Sequence, residues 1–426
     1  MNHANESASW YDSTAHPYAR HEPLRGRYTT DICVLGAGIT GLSAALELAE
    51  KGYQVSILEA NRIGWGASGR SGGQIIFGYG CEQRTLEKLL GLNAARQLWA
   101  YALEGVELVR QRNAQYKIDC DYYPGHAHVA LKPRQVRDLQ RWQSELSDKY
   151  DYHNLEFWNR SQVQGEIASR RYCAGLFDPN GGHLHPLNYT LGLAAAAESL
   201  GVKIYEYSAV TRIDETARVI VKTAHGEISA SSAIIAGNAY LHRVLPAIET
   251  KLMPVGTYIT ATEPLGERVC RQLIPSNCAV ADINLALDYF RCSADQRLLF
   301  GGRVSYSGRQ PRNLEKLMRD RVISVFPQLK KVRVTHTWGG YIGITLNRAP
   351  HFGRAGKNLY FAQGYSGHGL AAAGLAGRLM AEAIAGSSER LDLFSRIKHA
   401  NFPGGRLLRT PALVLAMSWF RLKDWL

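Results

Sequence analysis

A glycine-rich turn between an apolar run and a helical segment, near the start of the chain, constrains the fold most strongly. Residues 31–35 form a short apolar run, and residues 36–41 read Gly-Ala-Gly-Ile-Thr-Gly, the spacing G-x-G-x-x-G. The Leu-, Ala- and Glu-rich stretch up to Lys51 predicts a helix, and residues 54–58 form a second apolar run that ends in Glu59. This order predicts a βαβ unit with parallel strands and a right-handed crossover.

The chemistry of this turn suits a dinucleotide. Gly36 permits the tight turn, Gly38 lets the backbone approach a pyrophosphate, and Gly41 lets the helix pack closely on the strand. The N-terminus of the helix adds free N–H groups and the positive end of its dipole. Glu59 can accept hydrogen bonds from an adenosine ribose, and its charge disfavours a 2′-phosphate and therefore NADP. The predicted dinucleotide-binding residues are Gly36, Gly38, Ile39, Thr40, Gly41, Glu59 and Ala60.

Two later segments favour FAD over NAD. Residues 64–74 contain five glycines, a composition that predicts a loop lying against the ribityl chain and the isoalloxazine ring. His368, between two glycines, precedes a predicted helix over 370–385, whose N-terminus can face the flavin N1/C2 carbonyl. The remaining predicted cofactor-binding residues are Gly66, Ala67, Ser68, Arg70, Ser71, Gly72, Gly73, Gln74, Val210, Gly237, Gly343, Gly367, His368, Gly369 and Leu370.

Together these motifs resemble the superfamily of FAD enzymes that includes D-amino-acid oxidase, glycine oxidase and sarcosine oxidase. The resemblance spans about 30–390 and includes Ala-Gly-Asn-Ala-Tyr at 236–240 and Gly-Tyr-Ser-Gly-His-Gly at 364–369. Within the superfamily, the loop sequence Ala-Ser-Gly-Arg-Ser-Gly-Gly-Gln (67–74) and the segment Phe-Pro-Gly-Gly-Arg-Leu-Leu-Arg-Thr-Pro (402–411) are similar to the γ-glutamylputrescine oxidase subgroup.

The resemblance implies a mixed α/β fold with two discontinuous domains. The expected FAD-binding domain is Rossmann-like, with a parallel sheet, and the expected substrate domain has a large antiparallel sheet over the flavin. We expect 1–85, 160–240 and 335–402 in the FAD-binding domain and 86–159 and 241–334 in the substrate domain. Residues 403–426 are expected to form a helical tail.

The resemblance also implies an activity. The expected reaction is oxidation of a C–N bond in an amine or amino acid similar to γ-glutamylputrescine, with hydride transfer to flavin N5, hydrolysis of the imine and reoxidation by O2. Some relatives attach FAD through a Cys in the segment that matches Tyr341–Thr345, and no Cys stands there, so we expect non-covalent FAD. A quinone-dependent, membrane-associated dehydrogenase of D-amino-acid type, a non-catalytic flavin-binding subunit and an NAD-only enzyme remain alternatives.

Four residues are candidates for catalytic work. His368 and Arg70 are expected near the flavin ring, His368 as a flavin contact or a group that keeps the amine deprotonated. Tyr289 and Arg291 alternate along a predicted strand and therefore share one face, from which Arg291 could pair with a substrate carboxylate. The competing explanation is a structural salt bridge for Arg70 and a backbone contact at the helix start for His368. For Tyr289 and Arg291 it is a position on the outward-facing surface of the sheet.

Other sequence features carry weaker indications. The histidine pairs at 126/128 and 183/185 have no accompanying carboxylate, which favours structural roles over a metal site. Residues 301–333 carry nine basic and two acidic side chains without a nucleic-acid motif, a pattern typical of a solvated surface. Residues 411–426 combine Trp, Phe and basic residues, which suits either a helix docked on protein or peripheral contact with a membrane. With no apolar signal core before Asp31, a cytoplasmic enzyme is expected.

Overall fold

The structure, a computed structural model, describes residues 9–241, 244–284, 287–305, 311 and 313–403. The helices in these ranges are α1 (Trp10–Thr14), α2 (Ile39–Glu50), α3 (Ala67–Arg70), α4 (Gln83–Leu90), α5 (Leu92–Gln115), α6 (Pro133–Tyr150), α7 (Arg160–Glu166), α8 (Pro186–Ser199), α9 (Pro246–Glu249), α10 (Glu267–Leu273), α11 (Leu314–Val325), α12 (Gly369–Ile384) and α13 (Glu389–Ser395). The strands are β1 (Gly26–Leu35), β2 (Val55–Leu58), β3 (Gln74–Ile75), β4 (Tyr123–Ala130), β5 (Glu156–Trp158), β6 (Ala174–His183), β7 (Lys203–Tyr205), β8 (Arg212–Glu215), β9 (Val219–Lys222), β10 (Gly226–Ile235), β11 (Met253–Thr262), β12 (Ala279–Asp282), β13 (Tyr289–Cys292), β14 (Leu298–Ser305), β15 (Val334–Ile344), β16 (His351–Arg354) and β17 (Leu359–Gln363).

The first sheet is built on the predicted βαβ unit. Its parallel strands lie in the order β17-β10-β1-β2-β7, with β16 antiparallel on the edge and the hairpin β8–β9 joined to β10. Both faces of β2 are buried, as parallel strands covered by helices on each side require. The predicted parallel sheet is therefore confirmed.

The second sheet is largely antiparallel. Its order is β15-β11-β14-β13-β12-β4-β6-β3, with β5 paired to β6 and one parallel pair between β12 and β4. The large antiparallel sheet is thus present as predicted. However, β3, β6 and nearly all of β15 belong to it although they come from segments assigned to the FAD-binding domain; Gln74 of β3, for example, pairs with His183 of β6 in this sheet. The exact domain seams remain a prediction.

Helix packing beside the first sheet depends on small residues and one buried charge network. Gly377 of α12 lies against α2, where a Cβ at that position would come within 2.6 Å of Ser43 Cβ. The buried Glu47 of α2 accepts hydrogen bonds from Arg112 of α5 at 2.9 Å and from Arg378 of α12 at 2.8 Å. One carboxylate therefore joins three helices.

The described residues before β1, 9–25, form an N-terminal arm that is anchored by buried aromatic side chains rather than lying wholly on the surface. Ser9 and Asp12 cap each other in a capping box at the start of α1. Trp10 and Tyr11 are buried, and the Tyr11 ring packs edge-on against Trp338 of β15. The burial of these two aromatic rings explains why the arm is anchored against the second sheet.

Two predicted features lie wholly or partly outside the described residues. The tail over 403–426 is described only at Pro403, and part of the basic stretch 301–333 is likewise not described. Among the helices that the structure does describe, none has the length and apolar character needed to cross a membrane.

Replacing Glu47 by Ala should destabilise the protein strongly, because Arg112 would remain buried without its carboxylate. Breaking a buried ion pair from one side costs about 3–5 kcal/mol. The midpoint of urea unfolding, followed by circular dichroism, measures the loss. Glu267→Ala, which removes the exposed pair with Arg271, is the matched control and should cost less than about 1 kcal/mol. Equal midpoints for the two variants would contradict the role of Glu47.

Candidate active site

The glycine turn between β1 and α2 requires glycine for steric reasons. Gly36 has φ +106°, and a Cβ on Gly41 would lie 2.0 Å from the Gly36 carbonyl oxygen. A Cβ on Gly38 would come within 2.7 Å of Ser68 Oγ, which accepts a hydrogen bond from the Ile39 N–H at 3.0 Å. The turn therefore leaves backbone, and no side chain, at the start of α2.

Glu59 stands at the end of β2, beside this turn. Its Oε2 accepts from the Ala37 N–H at 2.8 Å and its Oε1 accepts from the Asn61 N–H at 2.9 Å. Burial raises the pKa of this carboxyl, while the backbone hydrogen bonds act in the opposite direction. The contacts fix the carboxylate in the lining of a large cavity.

That cavity has a volume of about 1250 Å³ and brings together nearly all the residues predicted from sequence. Every predicted cofactor-binding residue lines it except Gly41, which instead permits the close packing of α2 on the turn. Pockets for a single small ligand usually measure about 300–1,000 Å³. The cavity is therefore large enough for a cofactor and a second molecule.

The loop after β2 lines the cavity with α3 and contributes Arg70. Its Nε donates to the Trp65 carbonyl at 3.0 Å and its Nη1 to the Gly339 carbonyl at 3.3 Å, so the guanidinium links the loop to β15. Gln74 is held in the second sheet, where its Nε2 donates to the Val280 carbonyl at 3.2 Å. Both residues line the cavity, as predicted, and their side chains also have structural partners: Arg70 ties the loop to β15, and Gln74 bonds within the second sheet.

The N-terminus of α12 meets the cavity opposite the loop. His368 is the N-cap residue of this helix and lines the cavity, and its Nδ1 is buried without a hydrogen-bond partner among the described residues. Burial, together with the nearby Arg348, lowers the pKa of His368 to about 4. The imidazole is therefore neutral at physiological pH. Tyr365 ties this end to α2 by a hydrogen bond of 2.6 Å between its hydroxyl and Thr40 Oγ1.

Tyr289 of β13 lies in the part of the cavity that the second sheet covers. Its ring fits between two glycines: a Cβ on Gly72 would lie 2.6 Å from the ring and one on Gly301 would lie 2.0 Å from it. Burial raises the pKa of the Tyr289 hydroxyl, and a hydrogen bond with the Thr257 side chain partly offsets this. The ring is a fixed wall of the cavity.

Arg291 does not lie where the sequence interpretation placed it. The side chain is buried, and it donates to the Gly72 carbonyl at 2.9 Å, the Leu184 carbonyl at 2.8 Å and the Tyr11 hydroxyl at 3.2 Å. It is not among the residues that line the cavity. Strand alternation correctly places it on the face of Tyr289, but the N-terminal arm covers it there. The expected pairing with a substrate carboxylate is therefore replaced by a structural role.

Several residues that line the cavity belong to no recognisable sequence motif. Arg348 and the aromatic residues Phe77, Trp99, Trp142 and Tyr150 all line the cavity. They come from separate elements and share no spacing that could have indicated a site.

The histidine pairs have structural partners. The rings of His126 and His128 lie 4.6 Å apart, and His126 Nε2 lies 3.2 Å from Gln74 Oε1. His128 lines the cavity, whereas His183 Nε2 lies 2.8 Å from the Asn277 carbonyl oxygen and His185 Nδ1 accepts from the Asn188 N–H at the start of α8. No group of three or more His, Cys, Asp or Glu within the described ranges could hold a metal ion.

Comparison with known proteins defines the class. A family profile described as FAD dependent oxidoreductase (DAO) matches residues 31–383. The chain belongs to this family: it is an FAD-dependent oxidoreductase that acts on amines or amino acids.

Particular relatives cover nearly the whole chain. It is 44% identical to gamma-glutamylputrescine oxidoreductase of Escherichia coli K12 over 419 residues, 98% of each chain. It is 42% identical to a probable oxidoreductase OrdL of Haemophilus influenzae, covering 98% of this chain and 97% of the relative. Among solved structures, glycine oxidase from Geobacillus kaustophilus superposes with a TM-score of 0.74 at 20% identity, over 88% of this chain and all of that chain, which shows a shared fold.

The cavity fits FAD. The backbone at Gly36 and Gly38, which carry no side chain, and the N-termini of α2 and α12 suit the anionic parts of the cofactor. We expect the α2 turn and Glu59 to hold the adenosine diphosphate part, and the loop over 64–74 and residues 367–370 to hold the flavin. When bound, the cofactor supplies the hydride acceptor.

Gly38→Val should abolish FAD binding, because the branched side chain would fill the space beside Ser68 and block backbone approach to the pyrophosphate. The flavin absorbance ratio of the purified protein measures occupancy, and circular dichroism checks the fold. Gly52→Val, at a glycine with open space after α2, is the control for a general effect of the substitution and should keep its flavin, although its positive φ costs some stability. A folded Gly38→Val protein with full flavin content would contradict the assignment.

Proposed function

We propose that this enzyme oxidises the terminal C–N bond of γ-glutamylputrescine or a closely similar amine with a distant carboxylate, using O2 as the oxidant. The observation that carries the proposal is 44% identity to gamma-glutamylputrescine oxidoreductase over 98% of both chains. The imine formed at the oxidised carbon is hydrolysed to an aldehyde and ammonia.

The residues that we propose to face the reacting amine are Arg70, His368 and Tyr289. All three line the same cavity, and Arg291 is left out because it does not line the cavity and the N-terminal arm covers it. Hydride loss requires a neutral amine with a free lone pair. The burial of this region and the guanidinium groups of Arg70 and Arg348 disfavour a protonated amine. The neutral His368 adds no competing charge and can accept a hydrogen bond from the amine.

Tyr289 and Trp338 exclude water from the reacting carbon. Trp338 is fully buried and its Nε1 donates to the Arg70 carbonyl at 3.1 Å, which holds the α3 loop against β15. Tyr289 is clamped between Gly72 and Gly301. These rigid contacts favour a closed, dry site. We further propose that FAD is held without a covalent bond, so acid precipitation should leave all flavin in the supernatant.

Anaerobic mixing with γ-glutamylputrescine should bleach the flavin absorbance, and air should restore it. A panel of D- and L-amino acids, sarcosine, putrescine and γ-glutamylputrescine identifies the substrate by the rate of bleaching. If none of the panel bleaches a flavin-loaded protein, the proposed activity is wrong and a non-catalytic flavin-binding role is favoured. Bleaching that a quinone reverses but air does not would identify a dehydrogenase.

We also propose a cytoplasmic enzyme whose C-terminal segment docks on protein. Co-sedimentation with anionic vesicles should be the same for the full chain and for a chain truncated after Arg409, because an apolar run this short and flanked by bases also suits a protein surface. Phosphatidylcholine vesicles serve as the control for non-specific adsorption. Loss of sedimentation on truncation would assign the segment to a membrane interface instead.

A further inference from the structure

The cavity extends beyond the residues predicted for the cofactor into an aromatic region, here called the acyl limb. It is lined by Phe77, Trp99, His128, Trp142 and Tyr150, which come from α5, α6, β4 and the segment before α4. The ring centroids of Phe77 lie 5.5 Å from Trp99 and 5.3 Å from Trp142, and those of His128 and Trp142 lie 4.9 Å apart. No predicted cofactor-binding residue belongs to the limb.

Buried polar atoms of two limb residues, and of Gln83 of α4 in the same cavity lining, lack partners within the described part of the chain. Trp99 Nε1, His128 Nδ1 and both side-chain amide atoms of Gln83 are buried without a hydrogen-bond partner among the described residues. Trp99 is 3% exposed and His128 is 8% exposed, and all three residues line the cavity. A buried polar group without a partner is destabilising, and a ligand group that hydrogen-bonds to these side chains would remove that cost.

The hydrogen-bonding character of these groups restricts the chemistry of a ligand that could bind here. Trp99 offers a donor, Gln83 offers a donor and an acceptor, and burial lowers the pKa of His128 to about 3, so its ring is uncharged. A carboxamide, with one acceptor and one donor, matches them. Flat aromatic walls also suit a planar amide between methylene groups. A second ammonium group would find no charged partner among these three side chains.

The mouth of the limb carries charges of both signs. Arg84 Nε donates to Glu145 Oε2 at 3.1 Å, and Arg141 Nη2 donates to Asp138 Oδ1 at 2.6 Å. All four residues line the cavity, as does Glu82, and the two arginines are about half exposed. Exposed guanidinium and carboxylate groups side by side complement the carboxylate and ammonium of an amino-acid group.

We propose that the acyl limb binds the acylated end of the substrate, with the amide between the aromatic walls and an amino-acid group at the mouth, and so selects acylated diamines over free ones. The inference rests on the proposed function and adds its specificity determinant. Trp99 and Gln83 act on binding, at a distance from the reacting carbon.

Trp99→Phe and Gln83→Met test the limb, because each removes hydrogen-bonding atoms and nearly preserves shape. Anaerobic flavin reduction, measured over a range of substrate concentrations, separates the limiting rate from the apparent Kd. For γ-glutamylputrescine and N-acetylputrescine we expect each variant to raise the apparent Kd about tenfold, because each variant loses one hydrogen bond to the substrate. The limiting rate of flavin reduction should stay within about twofold of the wild-type rate. With putrescine, which has no amide, the variants should match the wild type.

Trp158→Phe is the matched control, because Trp158 is a buried tryptophan outside the cavity whose N–H donates to Glu156. It should change none of these constants. If Trp99→Phe loses its flavin, Gln83→Met at the first residue of α4 decides the question. Unchanged Kd values for the acylated diamines, or equal changes with putrescine, would contradict the proposed role of the acyl limb in substrate selection. Neither result would affect the proposal that the enzyme oxidises amines. If γ-glutamylputrescine does not reduce the flavin of the wild-type enzyme, the proposed function is wrong. The proposed role of the acyl limb is then wrong as well.

Discussion

Close contact between α2 and α12 is the constraint on which the site depends. A Cβ on Gly377 would lie 2.7 Å from the Ala44 backbone nitrogen, so the two helices can approach this closely only with glycine at that position. Both helices begin at the cavity, at Ile39 and at Gly369. Their contact therefore fixes the separation of two helix N-termini, which are positive dipole ends at one cavity. The Glu47 network holds the same helices further along their length.

The second sheet completes the site mainly by supplying aromatic side chains that line the cavity. Tyr289 and Trp338 are held rigidly, and the buried His128 and His368 are neutral at physiological pH because burial lowers the pKa of each. Charged groups line the cavity at Glu59 beside the glycine turn, at Arg70 in the α3 loop and Arg348 near the start of α12, and at the arginine–carboxylate pairs at the mouth of the acyl limb.

The sequence predicted the parts of the site that local chemistry determines. The glycine turn, Glu59 and the loop over 64–74 each have a composition that permits few other structures, and they line the cavity as expected. Arg291 could not be placed, because strand alternation identifies its face but does not show that Tyr11, 280 positions earlier, covers it. The acyl limb was missed for the same reason: Trp99 and His128 belong to different elements, and only tertiary packing brings them together.

One cavity holding both the cofactor and the whole acylated amine is the central claim, and a crystal structure of the FAD-bound enzyme with γ-glutamyl-n-butylamide tests it most directly. This compound keeps the amide and the amino-acid group but lacks the oxidisable terminal amine. We predict electron density for its amide beside Trp99 and Gln83, for its amino-acid group near Arg84 and for its butyl chain leading towards Tyr289. Density for the compound elsewhere, or flavin density within the acyl limb, would contradict the claim.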